Sequence, residues 1–463
     1  MSYILNETIA LRSWWRAPYA YYIKGVLAAK KLTKEEFELL LRCDGQSKIE
    51  DSALLTSLLE RGLISECKKG EKSLSSWQKM ECDNRYFPEM NWMITGKCNY
   101  NCLHCFNAAD NAPLVAEFTL EEAERLLDEA MACGINAFTI TGGEPMCHKD
   151  FLPIVKGIYR RGMYIEELNT NGYYITQELL DRMKEIGCDP LMKISFDGVG
   201  HHDWLRNRKG AEEDALRAIA LCVQNGFCVR AQTNVHRKNV DAMLATARLL
   251  DEMGVDQMRI IRTTEVPRWN ENAQGATLDL DEYFDKMLDF CRKYSREEHN
   301  MTVDVWQFLA LYPYRKSYAL HPVTCREGEF KPTRPVCCGN RAMVAVAANG
   351  NVFPCLQMSG YYEAKKDILG NVKESGLRPI LQVGKYLAEV CTTVGDLASV
   401  NAECNACPYF KYCAGGCRAI ALTLTSDKMG VDPSKCLFFK KGYYEKAVDA
   451  MGDWRNSTPI FVE

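Results

Sequence analysis

Apolar runs alternate with amphipathic stretches through the middle of the chain. Six short runs have the length and composition of strands, and they lie at residues 92–94, 137–140, 165–168, 191–195, 229–233 and 257–261. Between the runs, apolar residues recur with the period of a helix, as shown by Val240, Met243, Leu244, Ala247 and Leu250. Strand and helix in alternation predict a parallel sheet with right-handed crossovers.

Six strand–helix units predict an α/β fold with a partial (β/α)6 TIM-like barrel. Barrels of this kind carry their chemistry at the carboxyl ends of the strands, where the connecting loops meet. We therefore expect the loops that follow these predicted strands to hold the functional side chains of the protein.

A different pattern precedes the barrel. Strands are predicted at residues 3–5 and 20–23, and Thr33 with Glu36 forms a capping box at the start of a helix. A turn is predicted at Asp44 and Gly45, and a second helix presents Leu54, Leu55, Leu58 and Leu59 on one side. Helix, turn, helix and strand in this order predict a winged-helix-like α+β module.

The composition is that of a globular protein with several domains. The chain has 463 residues, of which 47% are hydrophobic and 25% are charged. We expect domain boundaries at 1–85, 86–310 and 311–440, with a tail at 441–463. The net charge of −4 gives no basis for binding nucleic acid or an anionic membrane.

Neither a signal peptide nor a membrane span is predicted. Residues 1–15 have no apolar core region, and no stretch of the sequence has 18 consecutive apolar residues. We therefore expect a cytoplasmic protein. In a reducing compartment, 22 cysteines favour metal ligation over disulfides.

Three cysteines follow the first barrel strand, at Cys98, Cys102 and Cys105. Thiolates are the ligands that hold iron–sulfur clusters, and three of them leave one iron of a cubane free to bind another molecule. A zinc site is the alternative, but zinc in structural sites takes four ligands.

This spacing, with His104 before the last thiol, resembles the signature of the radical S-adenosylmethionine (radical SAM) enzymes. The resemblance implies that the free iron chelates the methionine end of S-adenosylmethionine. It further implies reductive cleavage to a 5′-deoxyadenosyl radical, which abstracts hydrogen from a substrate, with an electron supplied by a donor such as flavodoxin or ferredoxin.

Other strand ends match the same family. Gly142, Gly143 and Glu144 resemble its methionine-binding motif, and the segments containing Thr170 and Ser195 resemble further cofactor-binding patterns. The resemblance implies a ribose contact for Ser195. Asn234 is a candidate cofactor contact, although an asparagine at the end of a strand is more often an ordinary loop hydrogen bonder. Arg206 is either a bidentate donor to a carboxylate or, equally, a solvated side chain.

A second group of cysteines begins near residue 320. Four of them have the spacing Cys404, Cys407, Cys413 and Cys417, and Cys325, Cys337, Cys338, Cys355 and Cys436 complete the group. The whole set resembles the SPASM domain, which holds two auxiliary [4Fe–4S] clusters in radical SAM enzymes that act on peptides and proteins.

The resemblance implies a ligand set for each auxiliary cluster. The distal cluster takes Cys404, Cys407, Cys413 and Cys436, and the nearer one takes Cys338, Cys355 and Cys417. Its fourth ligand is Cys325, Cys337 or an open position, and we favour Cys325 because adjacent thiols rarely ligate one cubane. With the radical SAM cluster, this predicts three [4Fe–4S] clusters.

Taken together, these patterns resemble maturases of ribosomally synthesised peptides. The resemblance implies a precursor peptide as partner, with its leader on the amino-terminal module, although a module that only packs against the barrel stays open. The predicted reaction is an intramolecular crosslink, either a thioether or a carbon–carbon bond. A peptide epimerase, or an oxidase of the sulfatase-maturase type, is the alternative, and Leu356 occupies the position where those oxidases carry an aspartate base.

Overall fold

The computed structural model describes residues 2–105, 116–272, 275–337 and 342–460. Its strands are β1 (Ser2–Leu5), β2 (Ile9–Trp14), β3 (Ala17–Ile23), β4 (Lys30–Lys31), β5 (Asp44–Lys48), β6 (Ile64–Cys67), β7 (Lys79–Glu81), β8 (Glu89–Thr95), β9 (Ala137–Gly142), β10 (Tyr164–Thr170), β11 (Leu191–Ser195), β12 (Val229–Val235), β13 (Gln257–Arg262), β14 (Thr302–Val305), β15 (Leu309–Tyr312), β16 (Ser317–Leu320), β17 (Met343–Val346), β18 (Val352–Phe353) and β19 (Arg455–Asn456).

The helices of the described residues precede, separate and follow these strands. They are α1 (Lys34–Leu41), α2 (Ala53–Glu60), α3 (Leu120–Ala132), α4 (Phe151–Arg160), α5 (Gln177–Ile186), α6 (His202–Arg206), α7 (Ala211–Gln224), α8 (Met243–Glu252), α9 (Pro267–Asn272), α10 (Leu280–Tyr294), α11 (Ser359–Lys365), α12 (Leu377–Gln382), α13 (Lys385–Val390), α14 (Val394–Val400), α15 (Ala402–Ala406), α16 (Phe410–Cys413), α17 (Arg418–Thr425), α18 (Pro433–Lys440) and α19 (Tyr443–Met451). None of these helices has the length and apolar character needed to cross a membrane.

One large sheet forms the centre of the molecule. Strands β8 to β14 lie side by side and parallel, and the six predicted barrel strands correspond to β8–β13. The sheet continues through antiparallel β15 and β16 to β19, and on its other side through β17 to β18. Within the part of the chain that the structure describes, the strands at the two ends of this sheet, β18 and β19, do not pair with each other, so the sheet does not close and the barrel is partial. The predicted fold class is confirmed.

The two faces of this sheet have different chemistry. Along β11 and β12, Met192, Ile194 and Ala231 are fully buried and belong to the same core as Ala215 and Ile219 of the helical layer. Lys193, Ser195, Arg230 and Gln232 alternate with them, point to the opposite face and are only partly buried. This alternation places a polar inner surface inside the partial barrel.

The amino-terminal residues form two small sheets with the strand orders β5-β1-β6 and β4-β3-β2-β7. The capping box of Thr33 and Glu36 is confirmed. The turn predicted at Asp44 and Gly45 is wrong, because these residues begin β5. The carboxylate of Asp44 accepts from the backbone N–H groups of Gln46 and Ser47, but pairing of β5 with β1 overrides this local turn signal.

Two aromatic side chains attach this module to the barrel. The indole of Trp14 donates to the carbonyl of Cys133 over 3.2 Å, and the hydroxyl of Tyr22 donates to that of Gly134 over 3.0 Å. Both carbonyls lie just after α3, the first helix of the barrel. The module therefore has a defined position against the helical layer.

The carboxyl-terminal region is mostly short helices. The hairpin turn predicted at Asn349 and Gly350 is confirmed, since it joins β17 to β18 with Gly350 at φ +91°. The segment predicted as a tail contains α19 and β19, and the hydroxyl of Tyr443 donates to Asp285 of α10 over 2.8 Å.

Candidate active site

The loop with the first three cysteines leaves the end of β8 and lies across two neighbouring elements. The backbone N–H of Leu103 donates to the carbonyl of Leu205 in α6 over 2.9 Å. The guanidinium of Arg268 in α9 donates to the carbonyl of Cys102 over 2.8 Å. These contacts fix the loop at the mouth of the barrel, where the sequence predicted it.

The three thiols of this loop lie close together. The pKa of Cys98 is raised to about 12, mainly by burial and in smaller part by negative charge on Cys102, Glu144 and Cys105. Burial also raises the pKa of Cys102, and charge on Cys105 adds to the shift. Three soft sulfur donors from one loop fit an iron–sulfur cube with one iron left open.

Within the described ranges, no three Cys, His, Asp or Glu side chains converge closely enough to hold a single metal ion. A cubane has its ligands on separate iron atoms and spaces them more widely. This observation therefore bears on mononuclear sites and leaves the cluster fit unchanged.

The glycine pair after β9 lies directly against the cysteine loop. The N–H groups of Gly143 and Glu144 donate over 2.9 Å to the carbonyls of Thr95 and Lys97. A Cβ on Gly143 would lie 2.3 Å from the Lys97 carbonyl oxygen, so a larger residue would displace the loop. The glycines thus allow close approach, and in this structure the approaching group is the protein's own backbone.

Glu144 is fully buried beside this contact. Its carboxylate accepts from the Thr170 hydroxyl over 3.0 Å and from the Asn171 N–H over 2.8 Å. Burial raises the pKa of Glu144 to about 7, although these hydrogen bonds oppose the shift. The amide of Asn171 also donates to Asn99 of the cysteine loop over 2.8 Å. The predicted residues Glu144 and Thr170 therefore lie together.

A buried ionic network follows β11. The guanidinium of Arg206 donates to both carboxylate oxygens of Asp197, over 2.7 and 3.2 Å, and the ring of His202 lies 2.9 Å from the same carboxylate. Burial alone would raise the pKa of Asp197, but the charge of Arg206 and the contact with His202 hold it well below its usual range. A third nitrogen of Arg206 lies 3.9 Å from the sulfur of Cys102. The carboxylate partner of Arg206 in this structure is therefore Asp197.

The remaining predicted residues lie around this network. His104 has its Nδ1 buried without a partner among the described residues, and burial lowers its pKa to about 3, so the ring is neutral. Ser195 ends β11 on the inner face and pairs in register with Gln232. The backbone N–H of Asn234 donates to Asp197 over 2.8 Å. Their contacts with a cofactor stay predictions.

Four cysteines of the carboxyl-terminal region form one group. They are carried by α15, α16, α18 and the loop between the first two, and they are Cys404, Cys407, Cys413 and Cys436. Burial raises the pKa of Cys404 to about 11 and that of Cys436 to about 12, and charge on the other thiols of the group contributes to both shifts. Four neighbouring thiols match the donor set of one [4Fe–4S] cluster.

A second group contains Cys337, Cys355 and Cys417. Burial raises the pKa of Cys355 to about 12, and charge on Cys417 and Cys337 adds to it. Cys338 lies outside the described residues. Cys325 is buried in the same core cluster as Cys404, and its sulfur lies 3.0 Å from the guanidinium of Arg334. The structure thus places Cys337 with Cys355 and Cys417, and it places Cys325 beside the first group.

Sequence reasoning missed Lys435 and the role of Asp432. Lys435 is buried, and its charge acts on Cys413, Cys417 and Cys325, so it lies between the two groups. Asp432 caps α18 and also accepts from the Cys417 N–H over 2.8 Å. An Asp directly before Pro433 is a helix-start signal that predicts this cap. No sequence signal identifies Lys435.

Two family models match the chain. The radical SAM superfamily model matches residues 92–260, and the SPASM iron–sulfur cluster-binding domain model matches residues 337–408. AdoMet-dependent heme synthase of Methanosarcina barkeri is 26% identical over 344 residues, which cover 74% of this chain and 94% of that protein. PqqA peptide cyclase of Granulibacter bethesdensis is 24% identical over 369 residues, covering 78% and 90%.

Solved structures share the fold. Streptococcus suis SuiB bound to precursor peptide SuiA superposes with a TM-score of 0.66 and 15% identity, over 94% of this chain and 99% of that one. anSMEcpe with bound AdoMet and a peptide superposes with a TM-score of 0.59 and 19% identity, over 78% and 97%.

The fold and the cysteine loop define an iron–sulfur enzyme that acts at the mouth of a partial barrel. The protein is a radical SAM enzyme with an SPASM domain. Its cofactors are S-adenosylmethionine and a [4Fe–4S] cluster in the radical SAM domain, together with auxiliary iron–sulfur clusters in the SPASM domain.

Proposed function

We propose that this enzyme matures a ribosomally synthesised peptide by abstracting hydrogen and closing an intramolecular thioether or carbon–carbon crosslink. The strongest support is the share of this chain that each relative matches. The heme synthase of M. barkeri is matched over 94% of its length by only 74% of this chain. SuiB, which was solved with its precursor peptide, is matched over nearly the whole of both chains.

A cluster held at the barrel mouth would supply the electron for reductive cleavage of S-adenosylmethionine. Cys98, Cys102 and Cys105 hold that cluster, and Arg206 fixes the position and charge environment of Cys102. The glycine turn holds the loop in place through its hydrogen bonds to Thr95 and Lys97. The cofactor contacts proposed for this mouth are made by His104, Gly142, Gly143, Glu144, Thr170, Ser195 and Asn234.

Two auxiliary clusters complete a set of three in this proposal. One is held by Cys404, Cys407, Cys413 and Cys436. The other is held by Cys338, Cys355 and Cys417, with the fourth position filled by Cys325 or Cys337 or left open to a substrate thiolate. The proximity of Cys337 to Cys355 and Cys417 favours Cys337 over Cys325. When bound, these clusters would accept the electron released as the product radical closes, and a flavodoxin or ferredoxin would supply the electron for each turnover.

The amino-terminal module, proposed here as residues 1–85, provides a docking edge for the leader of the precursor. In the sheet β5-β1-β6, the β5 edge is covered, because the N–H of Gly70 donates to the Gly45 carbonyl and Lys72 lies against Gly45. The β6 edge ends the sheet on the other side, and Glu66 is exposed there. An open edge binds an extended peptide by strand addition.

The mass of the peptide product tests this function. The holoenzyme is incubated without oxygen with S-adenosylmethionine, a reductant and the short peptides encoded beside its gene. A crosslink lowers the peptide mass by about two hydrogens. An unchanged mass with an inverted residue would support an epimerase, and formylglycine in the product would support the oxidase alternative. Peptides that stay unmodified while 5′-deoxyadenosine forms would contradict a peptide substrate and favour a tetrapyrrole, as the heme synthase relatives suggest.

A further inference from the structure

The inner surface of the barrel carries a group of charged side chains below its mouth. They come from five neighbouring strands and are Glu167 on β10, Lys193 on β11, Arg230 on β12, Arg259 on β13 and Asp304 on β14. The residues that flank them in β11, β12 and β13 are fully buried against the helical layer. Because side chains alternate between the faces of a strand, the charged ones point into the barrel.

Two carboxylates hold the three cations in place. Glu167 accepts from Lys193 over 2.9 Å and from Arg230 over 2.7 Å. Asp304 accepts from the Nε of Arg259 over 2.7 Å, and the guanidinium of Arg259 stacks 4.9 Å from the ring centre of Trp306. Arg230 is therefore held by Glu167 two strands away and by Gln257 on the neighbouring strand, to which its Nε donates. Arg259 is held by Asp304 on the neighbouring strand and by the ring of Trp306.

Both arginines keep donors that face the interior of the barrel. Among the described residues, the Nη2 of Arg230 and both Nη atoms of Arg259 have no acceptor. These nitrogens are not sealed from solvent, since none belongs to the buried atoms without partners. Burial lowers the pKa of Arg230, and the charge of Arg259 lowers it further, which shows that the two guanidiniums lie close together.

Other ionisable groups of this surface flank the two arginines on both sides. Glu89 of β8 binds the Thr139 hydroxyl over 2.7 Å, and Glu166 accepts from Tyr164 over 2.7 Å. Charges on Glu167 and Glu166 raise the pKa of Glu89, after the larger effect of its burial. His321 lies 3.5 Å from Asp304. The surface is therefore acidic toward β8 and β10, and its unfilled donors are cationic and lie on β12 and β13.

The strand register places these donors near the proposed cofactor contacts. Ser195, Gln232, Arg259 and Asp304 are successive partners across β11 to β14. Ser195 and Arg259 are two strands apart, which is about 10 Å between their backbones. The side-chain oxygen of Gln232 lies between them, buried and without a donor among the described residues. A group bound by Arg259 thus lies at the level of Ser195, the last residue of β11, close to the barrel mouth.

We infer from this geometry that Arg230 and Arg259 bind a side-chain carboxylate of the substrate peptide, an aspartate or a glutamate near the modified residue. The inference rests on the proposed function and names its substrate class. A guanidinium fork held on a rigid strand matches the two oxygens of a carboxylate. The bound carboxylate would hold the neighbouring residue at the mouth for hydrogen abstraction.

Two peptides with blocked, uncharged termini test the site directly. The probes are acetyl-Ala-Ala-Glu-Ala-Ala-amide and the same peptide with glutamine, titrated by NMR into holoenzyme loaded with S-adenosylmethionine and kept without reductant. Charge-assisted hydrogen bonds predict that the glutamate peptide binds about tenfold or more tightly. Arg259→Gln and Arg230→Gln should abolish that preference, and Arg259→Lys, which keeps the charge, should retain part of it.

A matched control is Arg237→Gln, which removes an exposed arginine paired with Glu282 and should leave the preference unchanged. Equal affinity of the two peptides for the wild-type enzyme would overturn the inference, and so would a preference that survives Arg259→Gln. If Arg259→Gln fails to fold, the wild-type comparison and Arg259→Lys still decide. If the enzyme crosslinks the precursor but does not prefer the glutamate peptide over the glutamine peptide, this inference alone is overturned. If the precursor is left unmodified, the proposed function is overturned.

Discussion

The side chain of Arg206 connects the cysteine loop to the strand end beside it. Two of its nitrogens bind Asp197 and the third lies near the sulfur of Cys102. Its positive charge therefore acts on a thiolate ligand from a fixed position. In a buried environment such a charge stabilises the anionic form of the thiol, as the lowering effect of Arg206 on the pKa of Cys102 shows, although burial has the larger and opposite effect.

Replacing Asp197 tests this network. Asp197→Asn leaves a buried guanidinium without its counter-ion, and we expect the free energy of unfolding to fall by about 3–5 kcal/mol. Urea unfolding of the variant, compared with wild type under identical anaerobic conditions, measures the loss.

Asp241→Asn is the matched control, because Asp241 is exposed and its pair with Lys286 lies on the surface. Surface pairs contribute less than about 1 kcal/mol, so this variant should resemble wild type. A double variant with Arg206→Met should recover part of the stability, since it removes the uncompensated charge. Equal midpoints for Asp197→Asn and Asp241→Asn would show that the network does not stabilise the fold.

Functional residues that form a spacing pattern in the sequence could be predicted as candidates. Residues whose role depends on partners that the fold brings close could not. The cysteine loop is a local spacing, so Cys98, Cys102 and Cys105 could be proposed as cluster ligands from the sequence alone, and that role stays a prediction. The partner of Arg206 was missed, because Asp197 lies nine positions away and the fold brings the two together. His202 and Arg206 are four positions apart on α6, and this spacing could have indicated that they share a partner.

At the scale of elements, the barrel strands were predictable because burial gives them a simple pattern. All six predicted runs lie within β8 to β13, although most observed strands extend one to three residues further. Most of the added residues are polar, as at Glu89 and Thr170, although Met90 and Val235 are apolar and buried. The β5 strand was missed because Asp44 and Gly45 have the local chemistry of a turn, and only pairing with β1 reveals the strand.

The β6 edge gives a prediction for leader binding. Next to the β1–β6 pair, the backbone N–H of Asn6 donates to the carbonyl of Leu63. Backbone groups of an antiparallel strand alternate in direction, so the N–H of Ser65 faces β1 and the N–H of Glu66 faces away from it. Glu66→Pro removes this outward donor without breaking the β1–β6 pairing. We expect it to weaken binding of the leader-containing precursor about tenfold, measured by fluorescence anisotropy with a labelled peptide.

Glu66→Ala is the control, since it removes the same carboxylate but keeps the backbone N–H. It should bind the precursor as wild type does, and a peptide that lacks the leader should bind all three proteins alike. Weakening by Glu66→Ala and Glu66→Pro to the same extent would mean that the side chain, and not strand addition, holds the leader.

At the scale of the whole molecule, one sheet joins the radical SAM barrel to the cysteine-rich region. The hairpin β17–β18 pairs with β8, which is the strand that leads into the cysteine loop. Cys355 follows β18 directly, and Met93 of β8 shares a core cluster with residues around Cys355 and Cys417. The proposed nearer auxiliary site, with Cys355 and Cys417, and the cysteine loop therefore both adjoin the β8–β17 pair, an arrangement that would suit electron transfer between clusters bound there.

This large-scale arrangement could not be predicted from the sequence. The order of the two cysteine signatures is visible in the chain, but the pairing of residues 343–346 with β8 is a contact between segments about 250 residues apart. The membership of each cysteine group likewise depends on packing, as the position of Cys325 beside Cys404 shows.

The central claim is that three sulfur donors of one loop leave an iron free to reduce S-adenosylmethionine. Its most direct test is the rate of 5′-deoxyadenosine formation by anaerobically purified protein carrying Cys98→Ala, Cys102→Ala and Cys105→Ala, with Cys67→Ala and Cys228→Ala in a control protein. We predict that the triple variant forms essentially no 5′-deoxyadenosine and loses about four iron atoms per chain, while the control matches wild type. An undiminished rate in the triple variant would contradict the claim.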